Sequence, residues 1–127
     1  MTVNDPVLNL IFKGLDAASL RQRTIAHNLA NINTPGFKRS LVSFEEKLDQ
    51  SILRQTDRHH YSYLGARDIE PQVIKTGAGT QRQDENNVNL DIELSAMIIN
   101  TIRYNALIQQ ASDRLENLRY VINDGRR

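Results

Sequence analysis

Two stretches of this chain repeat their apolar residues every seven positions, and no other feature constrains the fold as strongly. Near the N-terminus, Leu8, Ile11, Leu15, Ala18, Gln22, Ile25, Leu29 and Ile32 fall at alternating spacings of three and four. That is the a/d pattern of a coiled-coil seam. Near the C-terminus, Leu90 and Leu94 are followed by Met97, Thr101, Tyr104, Ile108, Ala111, Leu115, Leu118 and Ile122 in the same alternation. A helix covering a globular core carries a broader apolar face, whereas a strict 3.5-residue period keeps one narrow stripe turned toward another helix. The chain is therefore expected to be mainly α, with two long heptad-patterned terminal helices packed antiparallel in the manner of a coiled coil. A short third helix and an irregular middle segment with at most a small β-hairpin complete the expectation.

The boundaries follow from local chemistry. Asp5 before Pro6 reads as an N-cap and first helical position, because a carboxylate accepts exposed helix amides and proline has none to lose. The first helix is expected over 6–32. It must end there because the residue before Pro35 is pushed out of the helical region and Gly36 tolerates a positive φ. A turn over 33–43 leads to a short helix over 44–54, opened by the Ser43-Phe44-Glu45-Glu46 capping box. The segment 55–88 is polar, punctuated by Gly65, Pro71, Gly77 and Gly79, with Val73-Ile74 as its one plausible strand centre. A helix over 89–124 closes the single domain, with Asn89 as its cap and Asp91 and Glu93 suited to its positive end. At 1.5 Å per residue that helix is a rod of roughly 50 Å, longer than so small a chain needs for a private core. Part of it is expected to pack on neighbours.

Composition excludes several classes of function. Sixteen basic residues nearly cancel 15 acidic ones, so a net charge of +1 provides no broad field for nucleic acid or anionic lipid. The absence of cysteine excludes a disulfide framework and a thiolate metal site. No window approaches the 18 or so apolar residues of a membrane span, and no basic n-region precedes an apolar one, so neither membrane insertion nor a cleaved secretory signal is expected.

Candidate chemistry is sparse. Asp57, His59, His60 and Asp68 carry metal- and proton-binding groups, but adjacent histidines in a strand point to opposite faces and no metal-site framework surrounds them. A solvated polar loop is the better reading. Gly77-Ala78-Gly79-Thr80 lacks the lysine of a phosphate loop and reads as a turn. Arg21, Arg23, Lys38 and Arg39 bracket the first turn without an aromatic stacking row. No catalytic residue, metal or cofactor is expected. Gln22 and Asn105, polar at or beside the stripes, suit the selection of helix register.

The run Asn28-Leu29-Ala30-Asn31-Ile32-Asn33-Thr34-Pro35-Gly36-Phe37-Lys38 resembles the signature of the bacterial flagellar rod and hook axial proteins. Within that family, Glu85-Asn86-Asn87-Val88-Asn89-Leu90-Asp91-Ile92-Glu93-Leu94 and Ile102-Arg103-Tyr104-Asn105-Ala106-Leu107 resemble the proximal-rod FlgB type, with the FlgC-like class as the alternative. Phe37 stands where many relatives have tyrosine. The chain is too short to hold the large inserted domains of hook and distal-rod proteins.

The resemblance implies a structural subunit of the basal-body rod, in contact with other rod and basal-body subunits and with the flagellar type III export apparatus. It implies export without signal cleavage, helical assembly, and torque passed through helix packing. Asn28, Leu29, Ala30, Asn31, Asn33, Thr34, Pro35, Gly36 and Phe37 are then family-signature residues. The stripes are an assembly seam: Leu8, Ile11, Leu15, Ala18, Ile25 and Leu29 on one helix, Leu94, Met97, Thr101, Tyr104, Ile108, Ala111, Leu115, Leu118 and Ile122 on the other. A soluble helical adaptor or chaperone using the same stripes is the competing reading.

Overall fold

The computed structural model describes residues 5–48, 69–77, 79, 83 and 85–124. Helix α1 runs Pro6–Ala30, and Asp5 caps it, its carboxylate accepting from the Val7 N–H at 3.0 Å. The helix stops two residues before the expected end at 32. Asn31 takes over the last turn by donating its side-chain amide to the His27 carbonyl at 2.8 Å. Its own N–H is shared between the carbonyls of His27 and Asn28. Gly36 then turns the chain at φ +70, a conformation that a Cβ would disfavour.

The expected turn over 33–43 is shorter than anticipated. Its last four residues form strand β1, Ser40–Ser43, which pairs antiparallel with β2, Gln72–Lys75, in the register Ser40↔Lys75 to Ser43↔Gln72. Val73-Ile74 does centre a strand, but its partner lies far back in the sequence, so the small sheet is not a local hairpin. A two-stranded ribbon is marginal alone, and this one is anchored because β1 lies against α1. Between the strands, residues 45–48 form a helical turn in which the Ser43 hydroxyl meets the Glu46 carboxylate at 3.2 Å. The remainder of the expected helix over 44–54, the Asp57, His59, His60 and Asp68 group, and most of 55–88 lie outside the described residues.

Helix α2 runs Leu90–Asp124, with the Asn89 side-chain oxygen accepting from the N–H groups of Asp91 and Ile92. It packs antiparallel along α1. Among the described residues the compact apolar cluster is small, built from Ala17, Phe44 and Ile69 with Leu10 and Leu48 around it. It sits on one flank of the helix pair. No described helix is long and apolar enough to cross a membrane.

Candidate assembly surface and the clasp that orients it

Two parts of the chain distant in sequence meet at one end of the helix pair. Asn28, with no exposed surface, presents its whole amide to the backbone of Ser40: Oδ1 accepts from the Ser40 N–H at 2.9 Å and Nδ2 donates to the Ser40 carbonyl at 2.8 Å. The same Nδ2 reaches Glu93 Oε2 at 3.3 Å. Glu93 is itself fully buried in the first turn of α2 and takes a charge-assisted bond from the Arg39 guanidinium. A carboxylate out of contact with water is tolerable only when paired and hydrogen-bonded in this way, and the N-terminal end of the helix adds favourable potential.

Beside this contact, Asn86 donates one side-chain NH2 group to the carbonyls of Asn31, Ile32 and Thr34 at 2.9–3.0 Å, while its Oδ1 accepts from the Val88 N–H. Those carbonyls belong to the C-cap of α1 and the turn after it, so Asn86 pins the turn to the segment that leads into α2. Asn87 continues the clasp, accepting from the Arg39 N–H at 2.6 Å and donating to Thr76. Lys38 reaches the carbonyl of Glu85 at 2.7 Å, where the backbone is left-handed at φ 60. The two segments singled out for their resemblance to axial proteins thus bind each other.

Beyond the clasp, contacts between α1 and α2 recur at seven-residue steps of α2: Glu93 with Asn28, Asn100 with Ala18 and Gln22, Leu107 with Gly14, Arg114 with Asp5. Three of these four layers are polar. The Asn100 side-chain NH2 donates to the Ala18 carbonyl at 2.9 Å and to Gln22 Oε1 at 3.0 Å. Gln22 does act in the seam, but with Asn100; Asn105 is exposed. At the far end Arg114 Nε donates to Asp5 Oδ2 at 2.8 Å and holds the Asp5 carboxyl below the usual carboxylate range.

The side of α2 that meets α1 therefore lies one residue away from part of the apolar stripe. Ala111 is buried, and Met97 and Leu118 are half-buried, shared between the two faces. Leu94, Thr101, Tyr104, Ile108, Leu115 and Ile122 are exposed, Ile122 at 65%. On α1, Ile11, Ala18 and Ile25 are buried, and Leu8, Leu15 and Leu29 half-buried. In the signature run, Asn28 is buried, Leu29, Asn31 and Phe37 are half-buried, and Ala30, Asn33, Thr34, Pro35 and Gly36 are exposed. Phe37 meets His27 edge-on, with ring centroids 5.5 Å apart.

Hydrophobic periodicity gave no hint of Arg39, Asn86, Asn87, Glu93 or Asn100, because a scan for apolar seams passes over polar inward positions. The recurrence of Glu93, Asn100, Leu107 and Arg114 at seven-residue intervals was the available signal. Among the described residues no group of three or more His, Asp or Glu side chains is placed to hold a metal.

A family model described as flagella basal body rod protein matches residues 12–38, most of α1 and the clasped turn. The chain is 32% identical over 116 residues to the flagellar basal body rod protein FlgB of Bacillus subtilis, covering 88% of this chain and 89% of that one. It is 31% identical to FlgB of Borrelia hermsii, covering 96% and 99% of the two chains. To FlgB of Aquifex aeolicus it is 30% identical, covering 91% of each.

Proposed function

The chain belongs to the flagellar basal-body rod protein family, as a structural, non-enzymatic subunit of the FlgB type, and from that membership we propose that it transmits torque through helix packing in a helical rod. In this reading α1 and α2 present stripes to neighbouring axial subunits at the proximal end of the rod. The flagellar type III apparatus carries the chain outward without cleaving a signal.

The observation that supports the reading is the apolar face of α2 left uncovered among the described residues. Leu94, Ile98, Ile108, Leu115 and Ile122 are each between 41% and 65% exposed on one continuous helix. Exposed apolar surface of this extent marks an interaction site. A drive shaft needs continuous contacts between subunits and no reacting group, which suits a chain whose described buried polar groups hold its own two helices in place.

Substitution at the exposed stripe tests the proposal. Leu115→Asp and Ile108→Asp should leave the isolated chain folded, because both side chains lie about half exposed on the side of α2 turned away from α1. They should abolish incorporation into basal bodies and motility, since a charge buried in an apolar contact costs several kcal/mol without a partner. Full motility in cells carrying either variant as the sole copy would overturn the reading.

A further inference from the structure

The two flanks of the α1/α2 pair differ. One is roofed by the helical turn over 45–48 and crossed by the Arg21–Glu45 and Arg103–Glu45 ion pairs, at 2.6 and 3.7 Å. A cavity of about 380 Å³ lies there, and a helix laid along it would have to break those pairs. The opposite flank has no such roof among the described residues. An open cavity of about 190 Å³ marks it, between Ala18, Ser19 and Gln22 of α1 and Asn100, Thr101 and Tyr104 of α2. Helical spacing from Ser19 brings Phe12 and Leu15 to the same side of α1, and from Thr101 it brings Leu94 and Ile108 to the same side of α2. The result is an apolar groove running along the helix pair.

The molecule also carries a shape that fits such a groove. Helix α1 begins at Pro6, and Asp5 is level with Arg114, so Leu115–Asp124 projects past it by about 15 Å at 1.5 Å per residue. The apolar stripe of α2 continues onto this projection: Leu115, Leu118 and Ile122 follow the buried Ala111 at heptad spacing, with Leu118 half-buried and Leu115 and Ile122 exposed. The projection cannot fold back into its own groove, because α2 is one uninterrupted helix from Leu90.

We propose that the open groove between Phe12-Leu15-Ser19 of α1 and Leu94-Thr101-Ile108 of α2 receives the projecting end of α2 from a second copy of this chain. The projection carries the same heptad-spaced apolar stripe as the rest of α2 but has no α1 opposite it, so its apolar residues are patterned to pack on a helix that the chain itself does not supply. Groove and projection are different surfaces, so the contact is heterologous and leaves each copy with a free groove or a free end. Such contacts propagate into an open assembly unless the rotation closes. This inference rests on the rod-subunit reading and adds to it which flank is occupied, and by what.

The chain has no cysteine, so introduced thiols report unambiguously. Chains carrying Phe12→Cys, Ser19→Cys or Thr101→Cys are each mixed with Ile122→Cys chains and mildly oxidised, at concentrations where sedimentation shows association. A disulfide requires Cα atoms within about 7 Å. At least one groove position is expected to form the mixed dimer several-fold more than Lys47→Cys on the roofed flank. Sedimentation as a monomer at every concentration, absence of all three groove cross-links from an associating chain, or equal cross-linking by Lys47→Cys overturns the inference. Incorporation of the unsubstituted chain into purified basal bodies is measured in parallel. Normal incorporation without the cross-link removes only the second copy as occupant, while failed incorporation removes the rod reading itself.

Discussion

Gly14 of α1 lies directly against Leu107 of α2: a Cβ built on residue 14 would come within 3.2 Å of Leu107 Cδ1. The glycine is a spacing device, letting the two backbones approach in the apolar one of the four contacts that recur at seven-residue steps along α2. Replacing it by alanine sets two effects against each other, a gain of about 1 kcal/mol in helix propensity and the crowding of Leu107 by a few tenths of an ångström. Gly14→Ala is expected to be within about 1 kcal/mol of neutral. Gly14→Val sets more bulk against the same Leu107 side chain and should be less stable than Gly14→Ala, by about 1–3 kcal/mol. Thermal unfolding followed by circular dichroism distinguishes the two.

Two buried asparagines should respond differently to the same change. Asn28 satisfies both backbone groups of Ser40 and touches Glu93, so Asn28→Leu strands several buried groups, at about 1–3 kcal/mol each. Asn100 makes two bonds through its NH2, but its Oδ1 has no protein partner. Asn100→Leu loses those bonds and also removes a buried acceptor that nothing satisfies. It should cost at least about 2 kcal/mol less than Asn28→Leu in denaturant unfolding. Equal losses would mean that the Asn100 oxygen is as well satisfied as the Asn28 amide.

The clasp predicts coupling between the distant segments. Glu93→Gln removes the charge opposite Arg39, and Arg39→Gln strands a buried carboxylate. Each should destabilise the chain, Arg39→Gln by more, about 3–5 kcal/mol. The double substitution should cost clearly less than the sum, because a neutral pair can still hydrogen-bond. A double-mutant cycle in urea measures this; additive losses would show that the two groups do not act as a pair.

Acid should open the other end of the seam. The Arg114 guanidinium, with the backbone bond from Val7, lowers the Asp5 pKa below its ordinary value of 3.8. A depressed folded-state pKa contributes stability fully above the unfolded value and loses it as pH falls through the folded one. The contribution is thus present at neutral pH and lost only below the ordinary carboxylate range. Arg114→Met should return the Asp5 titration toward its ordinary range, seen by NMR of the carboxyl carbon, and weaken the acid dependence of the melting temperature.

The two long helices and their caps were legible from the chain alone, and the place where the first one stops to within two residues. Asp5-Pro6, Asn89 and the Asn-Thr-Pro-Gly turn act through local chemistry, whose consequences appear within a few residues. The pairing of β1 with β2 was not legible, because Ser40 and Lys75 meet only once the intervening chain has looped back. Nor was the clasp. Glu93 looks like an ordinary acidic residue in a first helical turn until Arg39 and Asn28 are placed over it.

The heptad stripes show the same division. Their period announced two helices that need other helices, since a seven-residue repeat marks a narrow face whatever lies opposite. Which residues of α2 would face α1 was decided only by tertiary structure. The polar pairs Asn28–Glu93, Gln22–Asn100 and Asp5–Arg114, together with the close approach at Gly14, turn α2 by about one position. An apolar stripe can slide and still be buried, but a buried charge or amide is satisfied in one register alone. That rotation leaves Leu94, Ile108 and Leu115 uncovered on the outer side of the helix, available to a neighbour.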